Sequence, residues 1–299
     1  MAKLEFRRLS PTFGALVTGV NLSSDIATKM QSALRQALLD YQVLVFRNQN
    51  LTEDRQVSFA QIFGPCRTPF QSSNYPSENE LTHYLSNVNQ DGSPTHQHPD
   101  PDSAYWHIDG SWSRNPYKAT VLYAIQVPKG HGNTQYANLY QAYNDLDQRT
   151  KNRLSKLKAE HNINLSRAAR HRRTPQEWWR SNGDREPLPV VLRWWSRVLI
   201  NRLSRGIVTH PVIRIHAETG RPTLFAGDHA WRITGRFWPT GTKLVREIND
   251  LGIESPAIYT HSWEAGDLLI WDNQSILHRS GTYDISRHVR IIRRCVVAN

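Results

Sequence analysis

The sequence predicts a mixed, mainly β fold of the sandwich or jelly-roll class, with α-helices inserted between the strands. Most apolar residues fall in short runs bounded by turn residues, and only a few stretches keep a helical period. The length of 299 residues suits one large core, and no repeat, low-complexity linker or clear boundary divides the chain. We therefore predict a single domain over 1–299.

The N-terminal part alternates between strand and helix signals. In chain order these are a strand over 13–20, a helix over 26–41 after cap residues 23–25, a buried strand over 43–46, and a helix from the Thr52 cap to Gly64. The segment 66–103 is rich in Ser, Asn, Pro and His and has little periodicity. A loop this long inside a compact domain is usually a lid or a binding loop.

The rest of the chain returns to strand signals. They lie at 119–125, 212–215, 223–225, 257–261, 268–271 and 289–291. A Gly-rich turn at 128–134 leads into a predicted helix over 139–158, and a second helix ends at Gly252.

The motif with the clearest chemistry is His107-x-Asp109. The flanking Tyr105, Trp106, Ile108 and Trp112 are typical of a strand, in which residues i and i+2 project from one face. An imidazole and a carboxylate side by side can bind a metal if a third ligand joins them. The alternative is a half-buried histidine hydrogen-bonded to its neighbouring aspartate.

His278 is the best third ligand, 171 positions downstream. Two histidines and one carboxylate on one face of an octahedron form the site of non-haem Fe(II) oxygenases. A second His-x-Asp, His98 with Asp100, lies between prolines that favour a loop. We claim no ligand among the remaining histidines, although His96 and His98 lie in the predicted lid and can reach a substrate.

The positive charge is concentrated in one segment. The whole chain carries +11, and residues 149–205 hold 15 Lys and Arg against 4 Asp and Glu. The remainder is therefore neutral, which is not the distribution of a nucleic-acid-binding protein.

The cysteine content and the apolar runs constrain the environment. Cys66 and Cys295 are the only cysteines, so neither a disulfide framework nor a cysteine zinc site is expected. The first residues show no secretory signal, and no apolar run is long enough to span a bilayer. These features favour a cytoplasmic protein without a transmembrane segment.

With both ends of the triad identified, the chain resembles the Fe(II)- and 2-oxoglutarate-dependent dioxygenases. The likeness is to the branch that contains taurine dioxygenase and (2,4-dichlorophenoxy)acetate dioxygenase. It covers nearly the whole chain and is weakest at about 66–103 and 160–206, where we expect lid-like insertions. The stretches that carry it are Phe13–Leu22, Phe46–Gln49, Phe63–Gly64, Trp106–Asp109, Gly130–Thr134, His210–Pro211, Trp263–Asp267, Trp271–Asn273, His278, Arg290 and Arg294.

The resemblance implies a double-stranded β-helix with Fe(II) bound by His107, Asp109 and His278. Thr134 falls where the family's threonine binds the distal carboxylate of 2-oxoglutarate, and Arg290 falls where its arginine pairs with that carboxylate. The spacing of Arg290 from His278 is longer than in the close relatives. The chemistry also requires such a residue, because a buried carboxylate needs a charged, bidentate partner. The alternative for Thr134 is a turn residue that caps the following helix.

Arg294 matches the position at which taurine dioxygenase binds its substrate's sulfonate, so the resemblance implies a small, anionic substrate. In a strand, Arg290 and Arg294 share one face and Arg293 points the other way. The alternative is a solvated basic edge strand. We add Gly110 and Ser103 as substrate-binding candidates. For Trp271–Asn273 we expect a core tryptophan and two polar residues that bond the turn presenting His278, and we expect Gly266–Asp267 to form a hairpin turn.

The basic segment contains one amphipathic pattern. From Val191 to Arg202, apolar side chains recur at helical spacing, with Arg193, Arg197 and Arg205 outside the stripe. We expect a helix that covers the barrel mouth as a lid. The alternative is a docking surface for an acidic carrier protein or an anionic membrane. A homo-oligomer is also compatible with the sequence.

The function implied by the resemblance is oxidation, most often hydroxylation, of an unactivated C–H bond. 2-Oxoglutarate and O2 are consumed, and succinate and CO2 are released. Desaturation or cyclisation remains an alternative because the outcome depends on substrate placement. A non-enzymatic alternative is a basic, partner- or membrane-binding protein that uses the β-barrel as a scaffold.

Overall fold

The computed structural model describes residues 3–68, 75–95, 97–170, 207–254 and 258–299. Two β-sheets form the centre of the fold. The larger has eight strands in the order β1-β2-β3-β14-β6-β16-β4, with β5 also paired to β16. Its strands are β1 (Glu5–Arg8), β2 (Ala15–Thr18), β3 (Val43–Phe46), β4 (Cys66–Arg67), β5 (Thr82–Ser86), β6 (Ala119–Gln126), β14 (Leu268–Asp272) and β16 (Ile291–Val297).

The smaller sheet has three strands in the order β13-β7-β15. They are β7 (Thr134–Asn138), β13 (Ile258–His261) and β15 (Ile276–Ser280). Tyr136 and Ile276 from this sheet share one buried cluster with Val45, Leu122 and Ile292 from the large sheet. The two sheets therefore pack face to face around a common core. This confirms the predicted mainly β, jelly-roll class.

Helices cover the outer faces of both sheets. Helices α1 (Thr28–Tyr41) and α2 (Glu53–Gln61) pack on the large sheet, and α3 (Leu139–Asn144) and α6 (Trp238–Ile253) pack behind the small one. The other elements are α4 (Gln148–Leu154), α5 (Ile163–Arg170), a 3-10 helix at Pro101–Ala104, and strands β8 (Lys158–His161), β9 (Val208–Pro211), β10 (Ile213–Ile215), β11 (Pro222–Leu224) and β12 (Ala230–Ile233). No helix in the described part of the chain is long and apolar enough to cross a membrane.

Several predicted elements differ from the structure. Helix α1 begins at Thr28 without a side-chain cap, whereas Thr52 caps α2 as predicted, accepting from the Arg55 amide. The helix predicted over 139–158 is wrong as one element. It divides into α3 and α4, because the Asp147 side chain accepts from the Thr150 amide and starts a new helix.

The segment 66–103 is not a loop throughout. Its strand β5 is buried along its whole length and pairs with β16. The sequence Thr-His-Tyr-Leu-Ser gives no apolar alternation, so periodicity missed it. Whether the flanks act as a lid stays a prediction. In the second insertion, residues 171–206, including the amphipathic pattern from Val191, lie outside the described residues.

Strand β16 separates two environments by its alternation. Ile292 packs between the sheets, whereas Cys295 and Val297 face α1 and α2. Arg293 lies on the outer face, where it donates to Gln56 and to the Leu51 carbonyl. The predicted opposition of Arg293 to Arg290 and Arg294 is therefore confirmed, and the solvated edge strand is wrong because β16 lies inside the sheet.

Candidate active site

The two predicted histidine ligands meet across a backbone bridge. The amides of His107 and His278 each donate to the other's carbonyl, at 2.9 and 3.0 Å, and the ring centroids are 4.2 Å apart. His107 does not lie in a regular strand as predicted. Asp109 joins the rings because the chain turns directly after the bridge, with Gly110 at a φ of +71°.

The three side chains offer a compact donor set. One ligand atom from each of His107, Asp109 and His278 lies within 4.8 Å of the others, and all three residues are buried. The Nε2 atoms lie 3.7 Å (His107) and 3.8 Å (His278) from the Asp109 carboxylate oxygens. His107 Nδ1 donates to the Tyr105 carbonyl at 2.7 Å, which leaves the Nε2 lone pair free. The described residues contain no second group of this kind.

Asp109 is held by neutral and charged donors. The Thr120 hydroxyl donates to Oδ2 at 2.7 Å, and the Arg294 guanidinium lies 3.0 Å from Oδ1. Burial by itself raises the pKa of Asp109, but Arg294, the two histidines and Thr120 hold that pKa below its ordinary value. Burial lowers the pKa of His278 well below its ordinary value, and His107 adds to the effect. An ionised carboxylate and a neutral imidazole are the protonation states that metal binding requires.

Arg290 provides a second, unsatisfied charge. Its residue is 4% exposed, its Nε has no hydrogen-bond partner, and none of the described carboxylates lies within ion-pair distance of it. Burial lowers the pKa of Arg290. A Cβ atom at Gly132 would lie 3.4 Å from Arg290 Cδ and Nε, so the glycine lets the loop approach the guanidinium. A buried guanidinium without a counter-charge is a binding position for a carboxylate.

Thr134 lies two residues beyond Gly132. It is the first residue of β7 and is 3% exposed. Its Oγ1 accepts a hydrogen bond from the Trp263 indole at 2.9 Å. The alternative of a threonine that caps a following helix is therefore wrong, since β7 separates Thr134 from α3, and Asn138 caps that helix.

The structure gives the weaker substrate candidates local roles. Ser103 Oγ donates to the Asp100 carbonyl and lies 2.7 Å from Ser280 Oγ, two residues beyond His278. At Gly110, a Cβ atom would lie within 2.9 Å of Tyr117, so the backbone there requires glycine. Contact of Ser103 or Gly110 with a substrate stays a prediction.

The second His-x-Asp lies apart from the triad. His98 Nδ1 accepts from the Asp100 amide, and its ring lies against Tyr283 with centroids 5.5 Å apart. Burial lowers the pKa of His98, and the nearby Arg290 charge lowers it further. His98 thus lies near the unpaired guanidinium. His96 lies outside the described residues.

The interactions of Trp271–Asn273 follow the prediction in part. Trp271 is a core residue, and Asp272 accepts from the Gln274 amide and the Ser275 hydroxyl in the turn before β15. Asn273 instead accepts from the Trp271 indole and donates to Thr120 Oγ1 at 2.9 Å. It therefore orients the hydroxyl that contacts the Asp109 carboxylate.

The sequence reasoning missed this link from Asn273 through Thr120, and it missed the contact of Trp263 with Thr134. Thr120 was assigned only to a strand, and Trp263 only to a motif of the resemblance. No spacing rule indicates either contact, because each joins residues more than a hundred positions apart.

Comparison with known proteins agrees with this geometry. The family model for taurine catabolism dioxygenase TauD, TfdA family, matches residues 5–296. The chain is 31% identical to (S)-phenoxypropionate/alpha-ketoglutarate-dioxygenase of Sphingobium herbicidovorans over 93% of this chain and 90% of that protein. It is 30% identical to alpha-ketoglutarate-dependent 2,4-dichlorophenoxyacetate dioxygenase of Cupriavidus pinatubonensis over 96% of this chain and 94% of that protein.

The fold has solved counterparts. The crystal structure of AAD-2 in complex with Mn(II) and N-oxalylglycine superposes with a TM-score of 0.78 at 26% identity, covering 99% of this chain and 97% of that one. A putative alpha-ketoglutarate-dependent 2,4-D dioxygenase from Burkholderia xenovorans gives a TM-score of 0.76 at 23% identity, covering 99% and 98%. The buried His-Asp-His group, the fold and the full-length match lead to one conclusion: the chain belongs to the TauD/TfdA family of alpha-ketoglutarate-dependent dioxygenases.

Proposed function

We propose that His107, Asp109 and His278 bind Fe(II), and that Arg290 and Thr134 bind the distal carboxylate of 2-oxoglutarate. The enzyme would oxidise, most often hydroxylate, an unactivated C–H bond of a small organic anion and release succinate and CO2. The observation that carries the proposal is the pairing of a complete His-Asp-His donor set with a buried guanidinium that lacks a counter-charge.

The donor set suits a divalent metal of intermediate softness. Two neutral imidazoles and one carboxylate satisfy one face of an octahedron and leave positions for a co-substrate and O2. When bound, Fe(II) with 2-oxoglutarate and O2 supplies the oxidising power of the reaction. The protein's part is to keep His278 neutral and Asp109 ionised, and to fix the carboxylate through Thr120 and Arg294.

Arg294 carries the proposal of an anionic substrate. Its guanidinium contacts Asp109 through one nitrogen, and its buried Nε has no partner. A substrate carboxylate or sulfate beside the triad would complete its hydrogen bonding. Relatives with full-length matches are named for phenoxypropionate, 2,4-dichlorophenoxyacetate and sulfate esters, all of which are anions.

Hydroxylation is the reaction we favour, with desaturation or cyclisation as the alternative. One relative, at 23% identity, is named pentalenolactone F synthase, so the family is not restricted to aryloxy acids and sulfate esters. Membership of a dioxygenase family favours an enzyme over the non-enzymatic scaffold.

The test is succinate release by the purified enzyme with Fe(II), 2-oxoglutarate and O2. The panel should contain 2,4-dichlorophenoxyacetate, (S)-2-phenoxypropionate and an alkyl sulfate, each paired with a neutral analogue of the same skeleton. We expect substrate-dependent turnover with at least one anion and none with its neutral partner. Arg294→Ala should raise KM for the anion and spare 2-oxoglutarate binding. Efficient use of the neutral analogues would contradict the anionic class.

The environment and the partners are inferred from weaker features. Cys66 and Cys295 are free thiols with sulfurs 3.4 Å apart, which supports a reducing, cytoplasmic location. A lid or an acidic-partner dock at 190–205 stays a prediction, as does a homo-oligomer. Exposed charges act only within a Debye length of about 8 Å at physiological salt. Docking therefore predicts that activity falls with rising salt and in an Arg193/Arg197/Arg205→Gln variant, whereas a lid predicts little change.

A further inference from the structure

The bond between Trp263 and Thr134 fixes which way the threonine hydroxyl points. The indole Nε1–H is a donor only, so Thr134 Oγ1 must accept across the 2.9 Å contact. A hydroxyl that accepts still has one proton to donate. In the described part of the chain, no acceptor takes that proton in hydrogen-bonding geometry. Thr134 is therefore presented as a donor, with one lone pair already occupied.

The indole is itself rigidly placed. Trp263 is 3% exposed and belongs to the core between the sheets. Its ring meets His261 edge-on, with centroids 4.7 Å apart. His261 in turn contacts Tyr259 Oη at 2.9 Å and Asp267 at 3.0 Å, and Arg47 pairs with that same Asp267 oxygen. These contacts leave the indole N–H one direction in which to donate, which is towards Thr134.

Thr134 lies beside the position proposed for the distal carboxylate. It pairs with His261 on one side and with Ser280 on the other, and Arg290 approaches the same loop at Gly132. We propose that Trp263 is a positioning residue for 2-oxoglutarate: by occupying the acceptor side of Thr134, it commits the hydroxyl proton to the distal carboxylate. This inference rests on the proposed function and adds a residue that does not touch the co-substrate.

A purely structural role for Trp263 would have different consequences. Loss of a buried indole would destabilise the fold and weaken every ligand to a similar extent. A positioning role acts through one hydroxyl, so its effect should be confined to ligands that carry the distal carboxylate. It should also vanish when that hydroxyl is absent.

The first experiment measures ligand affinity by calorimetry on the full chain loaded with Mn(II). N-oxalylglycine carries the distal carboxylate, and oxalate offers only the chelating end. Trp263→Phe should weaken N-oxalylglycine about tenfold, equivalent to a hydrogen bond of about 1.4 kcal/mol, and leave oxalate within about twofold. Equal losses for both ligands, or no loss for N-oxalylglycine, would overturn the proposal.

The second experiment is a double-mutant cycle with Thr134→Val. The valine removes the hydroxyl and should itself weaken N-oxalylglycine by about tenfold or more. Adding Trp263→Phe should then change the affinity by less than about twofold, because there is no proton left to orient. Thr134→Ser keeps the hydroxyl, and in that background the Trp263→Phe effect should persist. Additive losses in the valine background would refute a role through Thr134.

A spectroscopic measurement covers the case in which Trp263→Phe does not fold. In the 15N-labelled, Zn(II)-loaded protein, Thr134→Val should displace one indole N–H resonance. We expect N-oxalylglycine to displace the same resonance in wild type, because a hydroxyl that donates to a carboxylate becomes a better acceptor. An indifferent resonance would contradict the inference alone. Absence of N-oxalylglycine binding by the wild type would instead contradict the proposed function.

Discussion

Arg290 should reveal its role through opposite effects on the free and the ligand-bound protein. In the free protein its guanidinium is buried without a counter-charge, so Arg290→Met removes an unfavourable burial. We expect the free variant to be at least as stable as wild type. With ligand, the variant lacks the charge-assisted partner of a carboxylate, a loss on the order of 2–5 kcal/mol.

These energies translate into a thermal shift. A ligand at roughly 100 times its Kd stabilises wild type by about 2.7 kcal/mol. At about 2 °C per kcal/mol for a chain of this size, the midpoint should rise by about 5 °C. A loss of only 2 kcal/mol raises Kd roughly thirtyfold, which reduces the shift at the same ligand concentration to below about 2 °C. Scanning calorimetry with Mn(II), with and without N-oxalylglycine, measures both quantities.

Arg293 is the matched control on the opposite face of the same strand. It donates to Gln56 Oε1 and to the Leu51 carbonyl, each at 2.7 Å. Arg293→Met strands both acceptors, at about 1–3 kcal/mol each, so the free protein should be destabilised while the ligand shift persists. If Arg290→Met destabilised the free protein as much as Arg293→Met and kept the full ligand shift, the assignment of the unpaired charge to 2-oxoglutarate would be refuted.

Three further predictions test the site and the fold around it. His278→Ala should abolish the weak visible band of anaerobic Fe(II) with 2-oxoglutarate, whereas His98→Ala should retain it; the reverse result would show that the wrong His-x-Asp was chosen. Thr120→Val should weaken metal affinity roughly tenfold or more, measured by competition with a chelator, because the ligand carboxylate loses its orienting donor; unchanged affinity would contradict this. Although burial raises it, hydrogen bonds from the segment 77–84 hold the pKa of Glu53 at about 2, below its model value of 4.5. Its contribution to stability is therefore present above pH 4.5 and is lost as pH falls towards 2, so the denaturation midpoints of wild type and Glu53→Gln should differ at pH 7 and converge near pH 2.

The sequence was most informative where one short stretch defines both structure and chemistry. The buried strand at Val43–Phe46 and the Thr52 cap were predicted with their bounds or partners, because apolar runs and cap side chains act on neighbouring residues. His107, Asp109 and His278 were selected by residue type and by resemblance, and the structure brings them together. The reason given for the first pair was incomplete, since a bridge and a turn, not a strand face, align them.

Only the tertiary structure decided how the site is supported. Asn273 contacts Thr120, and Trp263 contacts Thr134, because the packing of two sheets brings together residues 153 and 129 positions apart. The same packing buries β5 in spite of its polar composition, since strand pairing satisfies its backbone. Local propensity is set by neighbours along the chain, whereas the direction of a hydroxyl proton or the isolation of the Arg290 charge depends on which distant groups share its surroundings. The sequence thus determined the fold class and the chemical groups of the site, and the folded chain determined their orientation and their partners.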